Sequence, residues 1–287
     1  MNATCLACHF GKQVETALSM GDEATATAFA KELLESYLSA PADAASPYFG
    51  PIVAALFEKY YGISENDRYL LEKQRSNQFV LSRMEEIRQR VQQQPDPVYA
   101  GLQFSILGNY LDFSALRGKI SFEKLDEMLS IGLQMDLDRD CYAQLCRDLS
   151  LGKRLLYLTD NAGEIGFDRI FAEEIHKKYP HLEIVFCVRG APALNDATRE
   201  DADLVGIPFP VIDNGSNYAG TILSKLGDQA REAMDTADVI ISKGMGNVET
   251  LYGCGYNIYY AFLVKCQHFI NLFGKPLMAP MLVKERK

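Results

Sequence analysis

The chain has 287 residues, 48% hydrophobic and 23% charged, enough to bury a sizeable core as one large domain or two modest ones. A formal net charge of -9 leaves no broad basic face to neutralise a nucleic-acid backbone, which excludes that class of partner. No run approaches the roughly 18–20 apolar residues that span a bilayer, and the opening MNATCLACHFGKQ lacks the basic start and apolar centre of a secretory signal.

In chain order, the first half reads as helix after helix. From Asp67, DRYLLEKQRSNQFVLSRMEEIRQRVQQQ places Val80, Met84, Ile87 and Val91 on one helical face, and the PDP at 95–97 stops it. VYAGLQFSILGNYLDF continues with a second apolar helical pattern. SFEKLDEMLSIGL follows, with Ser121 and Glu123 suited to a helix start. The character changes near Gly152. Short apolar runs at 154–160, 182–190, 209–215, 237–244 and 257–266 end in polar or glycine-containing turns, and helical stretches at 167–180, 217–237 and 247–253 separate several of them. Strands alternating with helices predict a mostly parallel sheet covered on both faces. The organisation is therefore α/β, with an all-helical region over 1–150 and an α/β unit over 151–287.

In open parallel sheets ligands bind outside the carboxyl ends of the strands. The oxygen-rich residues fall there. TDNAGEIGFD ends the first strand with Asp160 and Asn161 and carries further carboxylates at Glu164 and Asp168. Asp160, the Asn161 carbonyl and Asp196 of LNDAT make a hard oxygen set suited to Mg²⁺ or Mn²⁺. Asp160 and Asn161 also suit a helix cap, and spacing alone leaves both readings open. SKGMGNVET, after the fourth strand, offers Lys243, two glycines and a helix start, the ingredients of an anion site, although an ordinary turn has the same look.

Other chemistries find less support. No G-x-G-x-x-G follows the first strand, and the second ends in Arg189-Gly190 where a ribose-binding acid would stand, which disfavours a nucleotide-cofactor enzyme such as a methyltransferase or dehydrogenase. Cys5-x-x-Cys8 has metal-ligand spacing but no second pair completes a zinc site. No G-x-S-x-G elbow is present, and His176, His181 and His268 have no Ser or Cys partner pattern. Seven cysteines without framework spacing imply a reduced, cytoplasmic protein.

Seven segments occur together in order: CLAC (5–8), EKQRSN (72–77), LGNYLDF (107–113), DNAGEIGFD (160–168), VRGAPALNDAT (188–198), SKGMGNVET (242–250) and LVKC (263–266). In these the chain resembles the metal-dependent damage-control phosphatases, in the branch with paired N-terminal cysteines. The resemblance implies a helical N-terminal domain beside a Rossmann-like three-layer α/β/α unit. It implies hydrolysis of small phosphate monoesters, such as sugar phosphates or damaged phosphometabolites, with Mg, Mn, Co or Ni as cofactor. Carried over by position, the metal ligands are Asp160, Asn161 and Asp196, with Asp160 and Asp196 catalytic. The substrate-facing set is Glu164, Lys243, Gly244, Met245, Gly246, Asn247, Glu249 and Lys265, with Asn109 reaching the cleft from the helical half. A module that binds sugar phosphate and metal without turnover would present the same residues.

Overall fold

The computed structural model describes residues 1–111, 127 and 129–285. The predicted helix start at Ser121 and Glu123 lies outside them.

Five helices come first: α1 (Ala3–Met20), α2 (Glu23–Ser39), α3 (Gly50–Tyr61), α4 (Glu65–Gln92) and α5 (Pro97–Gly108). After α6 (Arg139–Leu151) the chain alternates: β1 (Arg154–Leu158), α7 (Glu164–Lys178), β2 (Glu183–Val188), α8 (Arg199–Val205), β3 (Val211–Asp213), α9 (Asp228–Thr236), β4 (Val239–Lys243), α10 (Gly244–Leu251), β5 (Ile258–Leu263), α11 (Gln267–Phe273) and β6 (Pro280–Lys284). The predicted amphipathic helix is α4. It opens where the Ser64 side chain accepts from Asp67 N–H, and it buries Val80, Met84, Ile87 and Val91.

The six strands lie in the order β3-β2-β1-β4-β5-β6, the first five in the chain parallel and β6 antiparallel to β5. The central strands carry continuous apolar runs, with charged residues only at their ends, because both faces are covered. Leu155 and Tyr157 of β1, with Ile184, Phe186, Val239, Ile241 and Tyr259, face a core shared with α5, α6 and α7. Leu156 and Leu158, with Ile240, Tyr260 and Phe262, face the other way onto α9, α10 and α11. A single-residue alternation thus builds three layers. Helices α1–α3 form a further core of their own around Phe29, Leu33, Leu56 and Phe57.

Three elements differ from the sequence reading. β6 has no counterpart among the predicted strands, because PMLVK is short and follows a Pro-containing turn; it pairs as an antiparallel edge, where a Pro at the first position is tolerated. The stretch 217–227, expected to be helical, holds only a 3-10 turn at Leu223–Lys225 before α9 begins at Asp228. The short α8 was also missed, although Thr198 and Asp201 form a capping box at its start.

Candidate active site

The strand order reverses direction between β1 and β4, the place where an open α/β sheet opens a crevice at its carboxyl rim. Backbone pairing shapes that rim first. Ala197 N–H donates to Asp160 O at 2.7 Å and Ala162 N–H to Asn195 O at 2.9 Å. Asn161 and Asp196 face each other as an isolated antiparallel bridge. The loops after β1 and β2 are thereby stitched together. Asp160, Asn161 and Asp196 come to line one cleft of about 330 Å³. Met245, Gly246 and Glu249 of α10 and Lys265 after β5 line the same cleft, as do Cys5, Cys8 and His9 of α1. The Asn2 side chain, at the N-cap of α1, meets His268 Nδ1 at 2.9 Å and ties α1 to α11.

Below this wall lies a buried polar layer. Asn109 Nδ2 donates to Asp160 Oδ2 at 2.9 Å and to Glu164 Oε2 at 3.0 Å, while Leu263 N–H donates to Asn109 Oδ1. Asn161 Nδ2 donates to the same two carboxylate oxygens, at 2.6 and 2.8 Å. Lys243 Nζ, wholly buried, donates to Glu164 Oε1, Asp168 Oδ1 and Ser105 O, each at 2.7 Å. Ser105 and Tyr157 hydroxyls also donate to Asp168 Oδ1, and among the described residues the buried Asp168 Oδ2 has no hydrogen-bond partner.

These contacts set the ionisation. Burial pulls Lys243 down, but Asp168 and Glu164 outweigh it and hold the ammonium above its ordinary range. For Asp168, burial dominates, Lys243 opposes it and Glu164 adds to it, so its carboxyl is raised to about 6. The native state therefore keeps a proton on Asp168 between about pH 4 and 6 that the unfolded chain has released, and loses that advantage as pH rises through 6. The Asp168→Asn variant, which has no such loss, is expected to gain stability relative to the parent by about 1–3 kcal/mol between pH 4.5 and 7. Urea unfolding at the two pH values measures it, and a constant difference between the proteins would contradict it.

Arg189, at the end of β2, escaped the sequence reading as a site residue. It is buried; its Nε donates to Asp196 Oδ2 at 2.6 Å, and its other nitrogens reach Gly220 O and Asn247 Oδ1. An arginine closing a buried strand seven residues before an Asp was the available signal. Asn247 in turn donates to Thr159 O and Lys243 O, joining the ends of β1 and β4.

The predicted residues therefore divide. Asp160, Asn161, Asp196, Met245, Gly246, Glu249 and Lys265 reach the cleft. Lys243, expected to face phosphate, is instead turned below the wall, where two carboxylates claim its ammonium. Asn109, Glu164 and Asn247 also lie in that lower layer, and Gly244 meets Asp160. Of the two openings for Asp160 and Asn161, helix capping is not what they do. The N-cap of α7 is Gly163, with no side-chain cap, and the Asn161 amide donates to carboxylates instead of accepting from the helix.

A divalent cation fits the donor chemistry of the wall. Among the described residues no group of three or more His, Cys, Asp or Glu side chains is placed to hold a metal, so Cys5 and Cys8 complete no such cluster. The cleft set is two carboxylates and an amide. Because Asn161 spends its Nδ2 inward, its carbonyl oxygen is the atom left for the cleft. Hard oxygens of this kind suit Mg²⁺ or Mn²⁺ with water or phosphate oxygens filling the other positions.

The remaining cleft groups are set by burial. Desolvation raises the Glu249 carboxyl to about 7, against the pull of the Ser46 N–H and the N-terminal ammonium. Burial lowers His9 to about 4, which keeps its imidazole neutral, and raises Cys5 and Cys266, which keeps them thiols.

Comparison with known proteins shows the family. The sequence model of the damage-control phosphatase ARMT1-like domain matches residues 1–280. The chain belongs to that family. A damage-control phosphatase of Archaeoglobus fulgidus is 33% identical over 83% of this chain and 81% of its own. An uncharacterised protein of Methanocaldococcus jannaschii is 32% identical over 98% of this chain and 94% of its own. The crystal structure of a DUF89-family protein of Pyrococcus horikoshii superposes with a TM-score of 0.83 at 26% identity, covering 100% of this chain and 99% of that one. The family membership supports phosphatase activity on a small molecule and the α/β fold expected from the sequence. Among the described residues no helix is long and apolar enough to cross a membrane.

Proposed function

We propose that this family member is a metal-dependent phosphatase acting on small phosphate monoesters, sugar phosphates or other damaged phosphometabolites. The observation that carries the reading is the convergence of Asp160, Asn161 and Asp196 on one cleft wall at the switch point of the sheet, facing Lys265 and the start of α10. Asp160, Asn161 and Asp196 would hold the cation, Mg, Mn, Co or Ni; when bound it draws charge from a phosphoryl oxygen. Lys265 supplies a positive charge for the other phosphoryl oxygens, and the α10 N-terminus adds its dipole to the same wall. Asp160, pinned by two amide groups, is oriented to align the attacking oxygen. Glu249, whose carboxyl titrates near neutrality, is suited to give a proton to the departing alkoxide. A cleft of about 330 Å³ supports a compact substrate over a polymer. The seven free cysteines support a reducing, cytoplasmic setting.

The test is a phosphate-release screen over sugar phosphates and nucleotides with each of the four metals and with a chelator. Metal-dependent release from a small ester is the expected result; binding without turnover would instead favour a non-catalytic module.

Two variants examine the residue roles. Lys265→Ala is expected to lower kcat/KM at least about 10-fold, chiefly through KM, since one charge-assisted phosphate contact is worth about 1.5–3 kcal/mol. An unchanged kcat/KM would remove Lys265 from the phosphate. For Glu249, kcat/KM should decline as pH rises through about 7, where the acid form is lost. In Glu249→Gln that alkaline limb should disappear, and its persistence would assign the proton to another group.

A further inference from the structure

The buried layer beneath the cleft explains how a neutral amide is kept facing the right way. An asparagine amide offers either a carbonyl oxygen or an NH₂ group to a ligand, and a half-turn about its last bond exchanges them. Only the carbonyl binds a cation. In this structure Asn161 Nδ2 is held inward by two acceptors, Asp160 Oδ2 and Glu164 Oε2, at 2.6 and 2.8 Å. Glu164 is itself fully buried, and its other oxygen is 2.7 Å from Lys243 Nζ. Asn109 supplies a second NH₂ to the same pair of acceptors, with its own carbonyl fixed by Leu263 N–H. The Lys243 ammonium takes a third acceptor, Ser105 O, from helix α5, so it cannot swing toward the cleft without abandoning three bonds.

We infer that Lys243 is a positioning residue: through Glu164 it locks the Asn161 amide with its carbonyl oxygen toward the cleft, and so prepares the cation site. The inference rests on the functional reading above and adds a role for a lysine that does not touch substrate. It also makes a prediction of sign. Simple electrostatics says that deleting a positive charge below a cation site should tighten cation binding. A positioning role says that binding should weaken, because outer partners of metal ligands are worth about 10–100-fold in affinity.

The experiment is Mn²⁺ titration of the full-length protein by calorimetry and electron paramagnetic resonance, with the parent beside Lys243→Met/Asp168→Asn. This double variant removes one positive and one negative charge, so the local net charge is preserved, and thermal unfolding checks its fold. At least 10-fold weaker Mn²⁺ binding by the folded double variant is expected. Affinity within about 3-fold of the parent, or tighter, overturns the inference while leaving the phosphatase reading in place. Should the double variant fail to fold, Glu164→Gln takes its place: it puts an NH₂ or a neutral oxygen where the amide needs a carboxylate. Its Mn²⁺ affinity must also fall at least 10-fold, and parent-like binding overturns the inference. If the parent itself binds no Mn²⁺ and releases no phosphate, the functional reading fails first and the inference with it.

Discussion

Asp196→Asn is expected to lower kcat/KM for phosphate release by at least about 100-fold, the scale seen when one preorganised electrostatic contact to a developing charge is removed. The argument comes from what surrounds the carboxylate. Asp196 lines the same cleft wall as Asp160, in the bridge it shares with Asn161, and its Oδ2 is held at 2.6 Å by the buried Arg189. The Asn variant keeps the shape and can still accept from Arg189, but it removes the charge. Asp196→Ala should be equally inactive and also less stable. The ion pair with Arg189 is the reason, because stripping one partner from a buried pair costs about 3–5 kcal/mol. Steady-state assays with urea denaturation separate the two effects. Near-parent turnover by the Asn variant would remove Asp196 from the chemistry.

Gly244→Ala should be nearly as severe without touching a single functional group. Gly244 opens α10 directly after β4 with φ of 76°, a region that any residue with a Cβ occupies at a penalty of about 1–2 kcal/mol. A methyl group built there would lie 2.0 Å from Asp160 Oδ2 and 2.1 Å from its Cγ. Asp160 has a short side chain pinned by Asn109 and Asn161, so it cannot yield as the far end of a lysine would. Either the carboxylate leaves its place or the strand-to-helix turn shifts. We expect at least about 100-fold loss of kcat/KM, on the scale of misplacing a reacting group by about 1 Å. Unfolding free energy should fall by about 2 kcal/mol or more, the strain alone accounting for half. A Gly244→Ala protein with parent-like kinetics would show that Asp160 is not held against this turn, and the geometry of the site would need revision.

The two predictions differ in how visible they were. Asp160, Asn161 and Asp196 stood out along the chain because carboxylates and an amide cluster at the ends of apolar runs, where polar residues have no packing reason to be. The strand-and-helix alternation was legible for the same reason: a strand covered on both faces is apolar along its middle, and β1, β2, β4 and β5 each carry a continuous apolar run with any charged residue confined to an end. The α4 face showed through its three-and-four spacing. Less came through where local signals are weak. β6 has five residues and takes its place by pairing with β5, which no local pattern announces. The residues 217–227 carry helix-compatible side chains, yet the chain between β3 and α9 is shaped by tertiary contact, with Gly227 N–H bonded to Asn214 O.

What the sequence by itself determined is the α/β organisation and which oxygen atoms are candidates for a cation, since both follow from hydrophobic period and from the position of polar groups at strand ends. What only the tertiary structure decided is the direction each polar side chain takes. Lys243 looked like a phosphate ligand because it follows a strand and precedes two glycines. The fold instead offered it Glu164 and Asp168 from α7 and Ser105 from α5, three acceptors far away in the chain. A buried ammonium goes where acceptors compensate its lost hydration, and those acceptors exist only once α5 and α7 have packed over the sheet.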